Sequence, residues 1–156
     1  FALKDLKINY DHYSFLERGS DERQYCSPLI DLPVASVMRS KYGTYDEYHT
    51  SADNLNIVTS KGLGESLDFY KHVIHILETN YVYRPAVPCE PQLSKRGLYP
   101  DISMKGSAGD TRSMMNILAY VDGKNDVIKL SEICGLTYGE TRKLLLLLQE
   151  GGIIYR

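Results

Sequence analysis

The stretch "LPVASVMRS", residues 32–40, decides how the first hundred residues are read. Val34, Ser36 and Met38 alternate with Ala35 and Val37, so an extended segment here has apolar residues on both faces. Pro33 and the turn at 41–43 bound it. Two apolar faces predict a central strand of a parallel sheet covered by helices. In such α/β folds ligand sites collect on the loops beyond the C-terminal ends of the strands. The next loop is "YDEYHTSADN", residues 45–54, and it holds one of only four histidines. Three roles are open to His49: a surface residue, a local cap, or the last ligand of a metal site whose other ligands lie elsewhere.

Outward from this pair, "TSKGLGESLDFYKHVIHILETN" (59–80) reads as a helix over 61–78. Ser60 is its cap, and Leu63, Leu67, Tyr70, Ile74 and Leu77 form an apolar stripe. His72 and His75 sit three apart on it, a spacing that can hold a metal. With no carboxylate or third histidine beside them, the preferred reading is surface or helix-end histidines that complement the dipole. From 81 to 110 four prolines (Pro85, Pro88, Pro91, Pro100) and "KGSAGD" exclude regular helix over most of the segment, leaving an extended strap and a linker. Composition then changes, which places a domain boundary between a 1–105 domain and a 106–156 module.

The module reads as three helices and a strand. Asp110 caps a helix carrying Met114, Ile117, Leu118 and Val121, and "DGKND" (122–126) is a turn. A short helix over 130–134 stops at Gly135. "TYGE" (137–140) is a capping box for a third helix through Glu150, and "IIYR" is a strand after Gly151 and Gly152. That order is a winged helix-turn-helix. Duplex binding is disfavoured, because six acidic residues balance six basic ones from Asp110 to Arg156 and the third helix continues as "LLLLLQ". The run of leucines points instead to packing against the first domain or to a homo-oligomer, with 144–148 largely buried.

Composition narrows the class further. A chain of 156 residues with 43% hydrophobic and 24% charged residues has an ordinary globular make-up, and a formal charge of −2 gives no general attraction to polyanions or anionic membranes. Cys26, Cys89 and Cys134 are odd in number and widely spaced, which fits reduced thiols and a cytoplasmic setting rather than a disulfide framework or a zinc knuckle. No apolar run has the length of a membrane span. The chain opens on Phe1 without an initiating methionine, and we read it as the C-terminal piece of a longer protein.

Four motifs in order, "GSDERQYCSP" (19–28), "LPVASVMRS", "EYHTSADN" (47–54) and "PCEPQLSKRGLYP" (88–100), resemble a bacterial aminopeptidase-like domain family associated with polysaccharide biosynthesis. That family is itself similar to the co-catalytic zinc aminopeptidases. The resemblance covers residues 10–100, and the module at 110–156 resembles the winged helix that ends those proteins. It implies an α/β chain: part of a doubly wound zinc-aminopeptidase-like domain followed by a small winged helix-turn-helix. It also implies a zinc-dependent hydrolase of peptide or amide bonds with a peptide-like or amide small-molecule substrate. His49, in "HTSAD", matches the family's last metal ligand. Ser20 and Asp21 match the first two residues of a Ser-Asp-His turn near the active site, and Glu22 departs from its histidine. Asp53 would orient the imidazole of His49, Tyr48 would shape the pocket wall, and Arg23 would hold a substrate carboxylate or an acidic partner. The remaining ligands and the general base would precede Phe1, so the 156 residues alone are expected to be inactive. The alternative is a non-catalytic scaffold or regulatory protein whose winged helix serves assembly.

Overall fold

The computed structural model describes residues 1–98 and 107–156. Its contacts divide the chain into two compact units, Phe1–Leu6 with Ile74–Arg156, and Lys7–Val73. The boundary expected between residues 105 and 106 lies outside the described residues.

In the first unit local signals fix the helices. Asp126 caps helix α5 (Val127–Cys134) by accepting from the Lys129 N–H at 2.8 Å, and Gly135 ends it in the left-handed conformation at φ 65°. The helix starts three residues before the 130–134 span read from sequence, because the cap sits at Asp126. Helix α6 (Tyr138–Glu150) opens on the expected capping box. Thr137 Oγ1 accepts from the Glu140 N–H at 3.3 Å, and Glu140 Oε2 accepts from the Thr137 N–H at 2.9 Å. Helix α4 (Ser107–Leu118) begins before Asp110, which therefore lies within its first turn rather than capping it. In the turn between α4 and α5, Asp122 Oδ1 accepts from the N–H groups of Lys124 and Asn125.

These helices close over Ile117, Val121, Val127, Leu130, Leu145, Leu148, Ile153 and Ile154, each no more than 4% exposed. On α6 the residues Leu144, Leu145 and Leu148 point inward while Leu147 faces out at 36% exposure, so only part of the leucine run is buried. Strands β1 (Arg84–Pro85) and β2 (Ile154–Tyr155) pair antiparallel, and the Ala86 N–H donates to the Ile153 carbonyl at 2.8 Å. The strap at 81–86 thus belongs to the winged helix; Pro85, which has no N–H to give, stands in a two-stranded ladder that has no central strand. The short helix α1 (Ala2–Asp5) adds a cap from the far end of the chain: Asp5 Oδ1 accepts from the Tyr138 N–H at 2.8 Å. The Tyr138 ring is fully buried, and its hydroxyl lies 3.2 Å from the Ile76 carbonyl and 3.0 Å from Thr79 Oγ1. Ile76 and Thr79 lie in the last turns of helix α3 (Ser60–Thr79).

The Lys7–Val73 unit is built differently. It holds a capped 3-10 turn at Phe15–Glu17, the four-residue helix α2 (Glu22–Tyr25), long loops and the first turns of α3. Helix α3 matches its expected span to within a residue, with Thr59 rather than Ser60 as cap, since Thr59 Oγ1 accepts from the Gly62 N–H at 3.1 Å. Its stripe does not face a core: Leu63, Leu67 and Tyr70 are exposed in this unit, as are Ile74 and Leu77 beyond it. The strand expected at 32–40 is not formed either. These residues are irregular and exposed, and no strand among the described residues pairs with them, so the doubly wound sheet is not formed there. A strand exists only through ladder partners, and the apolar pattern of one segment cannot supply them. Among the described residues the sole sheet is the β1–β2 pair, and no helix is long and apolar enough to cross a membrane. Cys26, Cys89 and Cys134 are free thiols.

Leu145→Ala should destabilise the winged helix by about 2–5 kcal/mol through its cavity, and Leu147→Ala by well under 1 kcal/mol. Urea unfolding of the two variants checks this, and equal losses would contradict an α6 whose buried face is set by Leu144, Leu145 and Leu148.

Candidate functional site

Every sequence-derived site residue falls in the Lys7–Val73 unit, and all but Tyr48 are exposed there. The centre of the arrangement is a residue to which the sequence attached no role. Glu22 is buried, and its carboxylate receives four donors. The N–H groups of Gly19 and Ser20 reach Oε1 at 2.7 and 3.0 Å, the Tyr42 hydroxyl approaches Oε1 at 3.2 Å, and the Ser36 hydroxyl donates to Oε2 at 2.8 Å. The backbone hydrogen bonds from Ser20 and Gly19, then the hydrogen bond from the Ser36 hydroxyl, hold its pKa down from 4.5 to about 2. Burial, followed by the hydrogen bond and charge of Glu22, raises the Tyr42 hydroxyl above its ordinary value. A Cβ at Gly19 would displace the Tyr42 ring, whose Cζ would lie 2.8 Å from it.

From Tyr42 the contacts lead to the second turn. The Tyr42 and Tyr48 rings are 6.4 Å apart between centroids, Tyr45 meets Tyr48 edge to face at 5.7 Å, and Tyr48 stacks on the His49 imidazole at 4.0 Å and 16°. His49 occupies the left-handed region at φ 59°, where a histidine needs local support. That support is a backbone turn in which Thr50 donates to the Glu47 carbonyl from both N–H and Oγ1, at 3.1 and 2.8 Å. Burial, then the charge of Asp53, raises the Tyr45 hydroxyl above its usual value. The turns at 18–28 and 45–54 are therefore linked through Glu22, Tyr42 and Tyr48.

The other expected residues sit around this line. Asp21 precedes α2 without a side-chain capping bond, and Arg23 donates from Nε to the Ser20 carbonyl at 3.2 Å. The carboxylate of Asp53 acts on Tyr45, and no hydrogen bond joins it to His49. As a metal donor set, His49 presents an exposed imidazole that suits one ligand position. The described residues include no group of three His, Cys, Asp or Glu able to hold an ion. Sequence reasoning left out Glu22 and Tyr42. One local signal pointed to Glu22: a glutamate three residues after Gly19 has the reach of the back-bonding half of a capping box.

A nucleic-acid site would use the start of α6, since recognition helices read bases with their N-terminal residues. Here the Tyr138 N–H is taken by Asp5, the side chains of Tyr138 and Thr141 are buried, and Glu140 is committed to the capping box.

Residues 2–80 match a family described as a domain of unknown function, DUF4910, and residues 81–156 match a winged helix-turn-helix family. A Clostridium acetobutylicum protein is 44% identical over 129 residues, 80% of this chain. Its name assigns it provisionally to polysaccharide biosynthesis with an aminopeptidase-like domain. A crystal structure from the same organism, provisionally named a peptidase, superposes with a TM-score of 0.76 at 37% identity over 88% of the chain. The chain spans 29% of the first relative and 30% of the second.

The depressed pKa of Glu22 gives a pH dependence of definite sign. Its contribution to stability is fully present above pH 4.5 and is lost as pH falls toward about 2. The urea midpoint reported by the tyrosines of this unit should decline over that window, and Glu22→Gln should remove the decline. An unchanged slope in Glu22→Gln would mean that another carboxylate controls it.

Proposed function

The chain belongs to the DUF4910 family over residues 2–80, and from that premise we propose that it forms part of an aminopeptidase-like, zinc-dependent hydrolase in which His49 is a metal ligand. The observation that carries this reading is the exposed His49 imidazole. It is held in a left-handed turn and clamped by a stacked tyrosine, within a sequence 44% identical to a protein named for its aminopeptidase-like domain. Zinc, when bound, would polarise the scissile carbonyl and lower the pKa of the attacking water. The share of this chain is to present one neutral imidazole nitrogen in a fixed direction. Tyr48 sets the plane of that ring, and the Thr50 hydrogen bonds set the backbone from which it projects. Asp21, Arg23 and Asp53 are exposed, and in this reading the guanidinium of Arg23, whose Nε donates to the Ser20 carbonyl, would receive a substrate carboxylate. The remaining ligands and the general base come, in this reading, from chain outside these 156 residues. The same chain would cover the exposed stripe of α3 and the exposed 32–40 segment, since apolar surface of that extent marks an interface.

The substrate class is a peptide or amide bond, and the link to polysaccharide biosynthesis rests on the name of the relative. The free thiols fit a cytoplasmic setting. The winged helix would serve packing or oligomer assembly, because the start of α6 is already occupied by Asp5.

In the whole protein His49→Ala should lower zinc occupancy and cut hydrolysis by more than the roughly 10- to 100-fold typical of groups that only orient a ligand. Zinc content by elemental analysis and turnover of aminoacyl amides check this. Unchanged zinc and activity would remove His49 from the site, and a wild-type protein without stoichiometric zinc would favour the non-catalytic scaffold.

A further inference from the structure

We propose that Glu22 is a positioning residue for His49, acting through Tyr42 and Tyr48, and that the turn built by Gly19 and Ser20 is an anion nest filled by the protein's own carboxylate rather than by substrate. The inference rests on the reading of His49 as a ligand for its functional meaning, but not for its geometry. Successive backbone N–H groups form a concavity that attracts anions. The pair at Gly19 and Ser20 converges on one oxygen of Glu22, so the nest is closed to a ligand. The filled nest in turn fixes where the carboxylate points. Its first oxygen faces the Tyr42 hydroxyl and its second faces Ser36, fourteen residues on, so one side chain joins the 19–22 turn, the 32–40 segment and the base of the 42–50 loop.

The direction of the chain of contacts matters. Tyr42 is held at its hydroxyl by Glu22 Oε1 and by the Glu17 carbonyl, each 3.2 Å away, and by Gly19 against its ring, and is packed by Lys41, whose Nζ lies 5.0 Å from the ring centroid. Tyr48 leans on Tyr42 and Tyr45, and only its remaining face is stacked on His49. His49 therefore takes its ring orientation from Tyr48, and the placement of Tyr48 derives from Glu22. No apolar residue of the Lys7–Val73 unit is buried, so a hydrophobic core within the unit does not hold this loop in place.

The test uses the whole protein that carries this chain, with hydrogen exchange of peptides covering 44–53 and zinc affinity as separate readings. Glu22→Ala strips the carboxylate from four donors. One such loss corresponds to roughly a fivefold to hundredfold change in an opening equilibrium, so exchange at 44–53 should accelerate by at least about fivefold. Zinc affinity should fall about 10- to 100-fold, the range for groups that orient a ligand. Glu22→Gln keeps an acceptor oxygen for the Gly19 and Ser20 N–H groups and should recover the greater part of both. Tyr42→Phe leaves the nest filled and removes the hydroxyl's contacts with Glu22 and the Glu17 carbonyl, so it should accelerate exchange at 44–53 and leave 19–26 unchanged. That pattern separates positioning from a structural role confined to the 19–36 region, and it decides the matter should Glu22→Ala fail to fold. Unaltered exchange at 44–53 in both Glu22→Ala and Tyr42→Phe overturns the proposal. If the wild-type protein binds no zinc, the ligand reading of His49 fails while the exchange measurements still decide the positioning role.

Discussion

The buried carboxylate of Glu22 is the constraint on which the Lys7–Val73 unit depends. A segment of this length would ordinarily define its loops by burying apolar side chains, yet here the buried side chain is an anion. An ion removed from water is tolerated only when its lone pairs are met, and two backbone and two hydroxyl donors meet them. The arrangement is directional where a hydrophobic contact is not. It fixes angles between three segments, and the tyrosine cluster around His49 inherits those angles. A buried, fully partnered polar network of this kind specifies one geometry more than it adds stability.

The winged-helix unit works the other way. Its shape comes from aliphatic burial around Ile117, Leu130, Leu145 and Leu148, with polar groups at the ends of helices, where the orphan N–H and C=O groups lie. Tyr138 combines both modes: its ring fills the core, its hydroxyl is met by Ile76 and Thr79, and its N–H is met by Asp5. The cost of this economy is that the start of α6, the surface a winged helix uses to read bases, is spent on internal packing.

What could be read from sequence follows the range of the interaction concerned. The capping box at Thr137 and Glu140, the stop at Gly135 and the span of α3 are set by neighbours within four residues, and the sequence displayed them. The start of α5 was misplaced because Asp126 was read as part of a turn, although it is a cap. The orientation of the α3 stripe and the strand at 32–40 depend on partners far away in the chain, which no local pattern supplies. The same holds for the site: the 45–54 turn is self-contained and His49 stood out within it. Glu22 became meaningful only once Ser36 and Tyr42, fourteen and twenty residues on, were seen to converge on it.

The hydrogen bond between Asp5 and Tyr138 spans 133 positions, whereas α4, α5 and α6 meet one another within a few tens of residues. Closing a loop costs more entropy the longer it is, by roughly 0.6 kcal/mol per doubling. The three helices are thus expected to assemble on their own, with Phe1–Leu6 docking last. During synthesis the order is enforced: the α1 segment is made before α6, and the Tyr138 N–H that donates to Asp5 does not exist until the intervening residues have followed. The bond between Asp5 and Tyr138 accordingly forms only after α6 has been made, so the closure of the module marks the completion of that helix.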